Sequence, residues 1–206
     1  MFKRVQVQIV IGLAVVVWAV MLLVQGVPLK ASYLQPYSFA VGVVILLLFA
    51  FEQWLWRVPP LARLLHCPVL RGTWKGQLQS NWIDPATGHG IPAIELYVVV
   101  RQTYSTISLR LMTTESTSRS LVASLEAPHD DVPRLASTYQ NIPGLLIQDR
   151  SRIHHGALML EVYGNPANRL GGSYWTDRDT KGQLSLDSRA EKLYTSFEEA
   201  SAATWN

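Results

Sequence analysis

The side chains in this sequence best suited to holding a ligand are aromatic, guanidinium, amide and imidazole groups set two apart on short β-like segments. Tyr174, Thr176 and Arg178 recur at that spacing within 171–182, and Tyr139 and Asn141 do so within 134–142. Trp74, Arg119 and His154 lie on segments of the same character. Aromatic faces stack on flat heterocycles, and arginine offers a fixed fork of donors to phosphate oxygens. A two-residue spacing places such groups on one face of a strand. The chemistry these eight residues describe is binding. Catalysis is not signalled: there is no Gly-x-Ser-x-Gly elbow, no phosphate-binding P-loop, no His-Glu-x-x-His and no Asp-rich metal loop. His154 and His155 are adjacent on a strand and point opposite ways, so they cannot clasp one metal ion. Asp177 and Asp179 flank a turn, where Asp is expected for local hydrogen bonding. No enzyme activity, metal or cofactor is expected.

The elements that must position these groups begin at Gly72, where apolar and polar residues start to alternate and turn residues recur. The pattern predicts strands over 72–82, 93–101, 104–113, 117–126, 134–142, 152–163, 168–178 and 182–189. Eight short strands read as a small antiparallel barrel or sandwich, and eight is enough for a barrel that holds one small ligand. The stretch 171–182, with its Asp-Arg-Asp-Thr-Lys-Gly turn, forms the hairpin that closes the sheet. In water the apolar face of each strand turns inward, and that parity sorts the polar residues. Leu78 carries Trp74 inward, and Leu135 carries Ser137, Tyr139 and Asn141. Leu158 and Leu160 carry Gly156 and His154, and Leu170 carries Tyr174, Thr176 and Arg178. Leu121, Ala123 and Leu125 carry Arg119 inward. Arg110 falls outside with Thr106 and Ser108, as do Trp175 and Asp177. Four of the inward groups also have a structural reading: Tyr139 and Tyr174 as packing, His154 as a hydrogen-bonded core residue, and Arg178 as an exposed strand end.

The N-terminal third differs in kind. Residues 1–71 carry six Lys/Arg and one Asp/Glu, whereas 72–191 carry eleven and twelve, so the basic character belongs to the apolar end. That distribution is a membrane-flanking pattern, and it argues against a DNA- or RNA-binding face. Residues 5–24 form an uncharged run, and spanning a bilayer takes about 20 apolar residues as helix. A second uncharged run covers 37–51 and reaches spanning length with Leu34 and with Trp54, Leu55 and Trp56. The first run exceeds a signal-peptide core, and a second run follows it, so a retained two-helix hairpin is expected. Lys3, Arg4, Arg57, Arg63 and Arg71 flank the hairpin, while its connection carries only Lys30. Both termini and the polar domain are therefore expected in the cytoplasm. The lone cysteine, Cys67, excludes an intrachain disulfide and any Cys-based zinc site. The organisation expected is a transmembrane hairpin over 1–57, a linker over 58–71, a barrel over 72–191 and a short helical tail over 192–206. A capping box at Ser196 and Glu199 opens that tail.

Gly72-Thr73-Trp74 resembles the Gly-x-Trp of lipocalin-type barrels, in which the Trp plugs one end beneath an Arg of the last strand, here Arg189. That resemblance makes Trp74 structural and stands beside its reading as a ligand contact. The whole arrangement resembles a second family, on Gly72-Thr73-Trp74-Lys75-Gly76, Tyr139-Gln140-Asn141-Ile142-Pro143, His155-Gly156 and the 171–182 stretch. It is the two-transmembrane β-barrel effector that accompanies cyclic-oligonucleotide synthases in bacterial CBASS antiphage systems. The resemblance implies a membrane-anchored chain with a cytosolic, up-and-down eight-stranded barrel that binds a cyclic di- or trinucleotide. It further implies self-association on binding and disruption of the inner membrane, ending in abortive infection. The competing readings are a membrane-tethered, lipocalin-like carrier of a small amphipathic ligand and a structural envelope protein without one.

Overall fold

The computed structural model describes residues 31–84, 87–127 and 132–205, with Gly12, Val15, Val16, Ala19, Val20 and Val24, and gives backbone alone over 31–40 and at Arg63. These residues form two compact units. One holds the chain up to Val58 together with Thr103–Ser105, and the other holds Pro59–Gln102 and everything from Thr106.

In the first unit, α1 (Ala31–Gln53) runs into a 3-10 turn at Leu55–Arg57. Side chains 43–49 of α1 are consecutive Val, Ile, Leu and Phe, and every one is more than a third exposed. Among the described residues, no helix is long and apolar enough to cross a membrane. The first expected span, 5–24, lies outside the described residues except for the six positions named, which are helical. Glu52 is the one acidic residue of the first 71, and it ends α1 as an acceptor. Its carboxylate receives the Thr103 hydroxyl at 2.6 Å and the Ser105 N–H at 3.1 Å, and its carbonyl receives the Tyr104 N–H at 3.1 Å. Tyr104 meets Phe51 edge to face at 5.0 Å between ring centroids. This small polar and aromatic knot occupies a stretch where the alternation had predicted the start of a strand.

The second unit opens with α2 (Pro59–Leu64) and then closes eight antiparallel strands into a barrel in sequence order. They are β1 (Gly72–Ser80), β2 (Ile94–Gln102), β3 (Ile107–Met112), β4 (Ser116–Glu126), β5 (Arg134–Pro143), β6 (His154–Tyr163), β7 (Arg169–Thr176) and β8 (Lys181–Ala190). Pairing of β8 with β1 leaves no free edge. Alternation drives the closure: Leu158, Leu160 and Val162 of β6 are buried, while Met159 is 44% exposed. β3 begins later than expected because Tyr104 bonds to Glu52 and not to a strand.

Two expectations fail for definite reasons. β4 carries a bulge between Ser120 and Val122 against β5, and the extra residue reverses the facing of the strand at that point. Ser118 is therefore buried on the inner side, Arg119 is exposed, and Leu121 is 63% exposed although its hydrophobicity predicts burial. The second is the general rule that an outer strand face meets water: on the outer face of β2, Tyr97 and Val99 are buried. The C-terminal tail covers them: Tyr194, Phe197, Ala200 and Trp205 pack there with Met112 of β3 as a second apolar cluster. The tail's helix, α3 (Phe197–Ser201), is capped by Ser196, whose hydroxyl accepts the Glu199 N–H at 3.2 Å. The Glu199 carboxylate reaches back to the Thr195 N–H at 2.8 Å, one residue before the cap, and pairs with Lys192. Lys192 first, and the Thr195 donors next, pull its pKa down to about 2.

Candidate functional site

The barrel is sealed at one end by its own side chains. Trp74 is fully buried, and its indole N–H donates to the Leu70 carbonyl at 2.8 Å. The Arg189 guanidinium lies 5.4 Å from the indole ring and donates to the carbonyls of Val69 at 2.9 Å and Arg71 at 2.8 Å. Gln102 accepts the Leu70 N–H at 2.7 Å and donates to the Pro68 carbonyl at 2.9 Å. Residues 68–71 thus cross this end on hydrogen bonds from the barrel wall. Gly72 permits the crossing: its φ is +148°, and a Cβ there would lie 2.5 Å from the Ala190 carbonyl oxygen. Trp74 fills this end and does not line the cavity at the other.

The opposite end holds a cavity of about 470 Å³, within the range of small-molecule pockets. Leu78, Leu96, Leu111 and Leu184 form its apolar part. Tyr139, Asn141, His154, Tyr174, Thr176 and Arg178, all expected to face inward, line it together. Arg119 does not, because the β4 bulge turns it outward beside Arg110 of β3. Arg110 stays outside as expected, half-buried, and donates to the Thr195 carbonyl at 2.7 Å.

Each wall residue is held by a specific neighbour. Tyr139 is buried against Gly156, where an added Cβ would come within 2.5 Å of its hydroxyl. Burial first, then the nearby Tyr174 and Asp177, push its pKa well above the usual phenol range. Burial also raises Tyr174, against a hydrogen bond to Ser80 that lowers it. Both phenols are therefore neutral donors around neutral pH, suited to an anionic acceptor. The Asn141 amide donates to Ser116 at 3.0 Å and Ser118 at 2.8 Å, which fixes its plane. Thr176 is committed to its own turn through the Thr180 hydroxyl at 2.7 Å. Arg178 extends over the rim and donates to the Ser151 hydroxyl at 3.1 Å. Asp177 faces outward and accepts the His155 N–H at 3.0 Å.

The rim also brings in residues that strand parity does not reach. Glu115 lies in the β3–β4 turn, and Arg150 and Ser151 lie in the β5–β6 connection. All three line the cavity, and Arg150 and Glu115 form an ion pair. Both partners are more than half exposed, so the pair is worth roughly 0–1 kcal/mol. A signal for them exists in the sequence: in an up-and-down barrel, alternate connections share one end. The turns after β1, β3, β5 and β7 must therefore gather their side chains at a single mouth.

A family model described as "Cap15, cyclic dinucleotide receptor domain" matches residues 65–188. A CD-NTase-associated protein 15 from Escherichia albertii is 25% identical over 150 residues, covering 70% of this chain and 73% of its own. A protein of the same description from Staphylococcus schleiferi is 24% identical over 173 residues, covering 84% and 89%.

Proposed function

The chain belongs to the Cap15 cyclic dinucleotide receptor domain family, and from that premise we propose that its barrel is a receptor, not an enzyme, that binds a cyclic dinucleotide at its open end. The observation that carries the reading is the asymmetry of the barrel inside the matched region. One end is plugged by Trp74 and Arg189. The other gathers two neutral phenols, an oriented amide and an arginine around one cavity. Tyr139 and Tyr174 offer flat faces to bases and O–H donors to phosphate oxygens, and Arg178 offers charge at the rim.

In this reading residues 1–57 anchor the chain, 58–71 link, 72–191 sense and 192–206 brace the barrel wall. The uncharged runs at 5–24 and 37–51 support an anchor, as do the apolar side chains exposed all round α1 at 43–49. A helix apolar on every side needs an apolar surrounding. The anchor is a two-span hairpin in the inner membrane, with the barrel and both termini in the cytoplasm. The ligand is made by a partner cyclic-oligonucleotide synthase during phage infection. Binding favours association of barrels, and the clustered spans then disrupt the membrane and abort the infection. A ligand drives such assembly only by binding the associated form better.

Titration of the full-length chain with cyclic di- and trinucleotides, a fatty acid and a retinoid tests the receptor reading. Saturable binding of a cyclic dinucleotide is expected. Binding of the fatty acid or retinoid, with none of any cyclic nucleotide, overturns it in favour of an amphipathic-ligand carrier.

A further inference from the structure

We propose that Arg150 is a second phosphate-binding group of the cavity, and that Glu115 occupies it until the ligand arrives and thereby sets the affinity. The proposal rests on the cyclic-dinucleotide reading above. It starts from charge. The fully charged residues lining the cavity are Glu115, Arg150 and Arg178, a net of one positive charge. A cyclic dinucleotide brings two phosphodiester charges. Among the described residues Arg178 has no carboxylate partner: its contacts are the Ser151 hydroxyl at 3.1 Å and the Arg152 carbonyl at 3.5 Å. Both phosphates obtain a guanidinium only when Arg150 exchanges the Glu115 carboxylate for a phosphate. Arginine suits that exchange, because its planar fork fits either anion.

The local structure lets the side chains part while the backbone stays. The Gly144 N–H donates to the Glu115 carbonyl at 2.8 Å, so a main-chain bond ties the β5–β6 connection to the β3–β4 turn independently of the ion pair. The turn is itself fixed, with the Thr113 N–H donating to the Ser116 carbonyl at 3.0 Å. The Arg150 and Ser151 N–H groups both donate to the Ile147 carbonyl, at 3.1 and 2.9 Å. Arg150 is thus held at its backbone, and Arg178 is bound to the next residue. The Arg178 guanidinium, carried by the β7–β8 turn, therefore ends at the segment that carries Arg150. Two-thirds exposed as it is, the Arg150 side chain meets a phosphate while still partly hydrated, and its weak carboxylate contact yields readily. Glu115 acts here through Arg150 and is a positioning residue.

The experiment is calorimetric titration of the full-length chain and its Glu115→Gln, Arg150→Gln and double variants with cyclic di-AMP, cyclic di-GMP and cyclic di-UMP. For whichever of these the parent binds, Glu115→Gln is expected to tighten binding about threefold. Arg150→Gln is expected to weaken it about tenfold and to make it less sensitive to salt. In the Arg150→Gln background, adding Glu115→Gln should change nothing. Three results overturn the proposal while leaving the receptor reading intact. They are weaker or unchanged binding by Glu115→Gln, unchanged binding by Arg150→Gln, and a gain from Glu115→Gln that persists without Arg150, which would mean direct repulsion of the ligand. No binding of any of the three by the parent chain overturns this proposal, and the receptor reading falls with it only where no cyclic nucleotide binds at all and the fatty acid or retinoid does.

Discussion

The two ends of the barrel are made from the same kinds of residue and put them to opposite uses. At the sealed end an aromatic ring, an arginine and an amide (Trp74, Arg189 and Gln102) spend their polar atoms on the main chain of residues 68–71. At the open end two aromatic rings, an arginine and an amide (Tyr139, Tyr174, Arg178 and Asn141) surround a cavity instead. The difference lies in what the chain does next. At the sealed end the polypeptide crosses the mouth and supplies carbonyls to the Trp74 indole, the Gln102 amide and both terminal nitrogens of Arg189. These groups are committed to the main chain, and of them only the Arg189 Nε is left without a partner among the described residues. At the open end the connections run around the rim, and the inward groups face space that a ligand with matching acceptors can fill.

The sharpest way to break that contrast is Trp74→Ala. Removing a fully buried indole should cost about 3–5 kcal/mol of stability, measured by denaturant unfolding. Ligand affinity of the folded fraction should be unchanged; a loss of affinity larger than the loss of stability would make Trp74 part of the site. Next in size is Gly156→Val, which forces side-chain carbons into the place of the Tyr139 hydroxyl. An expected loss of roughly 1–3 kcal/mol should come with weakened ligand binding, because the displaced ring lines the cavity. Unchanged binding by a folded Gly156→Val chain would show that Tyr139 only packs.

Smaller, and aimed at the face assignment, are Arg178→Ala and Tyr174→Ala. Each should weaken cyclic-dinucleotide binding about tenfold, whereas Arg110→Ala and Arg119→Ala should leave it within error. Equal losses at the outer pair would mean that the ligand lies on the barrel wall and not in its mouth. Smallest is a pH effect that belongs to the outer cluster. Burial, with the hydrogen bond to Glu95, raises Tyr97 from 10.0 to about 12. The folded chain therefore keeps this proton where the unfolded chain has lost it. Its stabilising contribution is complete below pH 10 and disappears as the pH rises through about 12. Thermal unfolding followed from pH 9 upward should show that decline, and Tyr97→Phe should flatten it. A decline as steep in Tyr97→Phe would assign it to the raised phenols of the cavity, Tyr139 and Tyr174.

Much of the barrel was legible because alternation is a local property. Leu158, Leu160 and Val162 announce a buried face whatever their neighbours do, and the same parity placed Tyr139, Asn141, His154, Tyr174 and Thr176 correctly. It failed at Arg119, because a one-residue bulge leaves no mark in hydrophobicity and reverses everything before it. Arg150 and Glu115 were missed for another reason: connections have no period to read, and only the order of strands brings the two turns together. The burial of Tyr97 and Val99 on the outer face of β2 has no local signal, because their cover, the segment ending in Trp205, arrives from far along the chain.

By itself, then, the sequence determined that 72–191 would close on itself with one face apolar, that Gly72 and Trp74 would start the closure, and that an apolar N-terminal third would stand apart in charge. Those outcomes follow from side-chain periodicity, glycine's freedom and composition, which need only near neighbours. Tertiary structure alone decided which end is plugged and which is open, which arginines meet at the mouth, and that Glu115 holds one of them. Those are contacts between segments tens of residues apart, and no local pattern carries them.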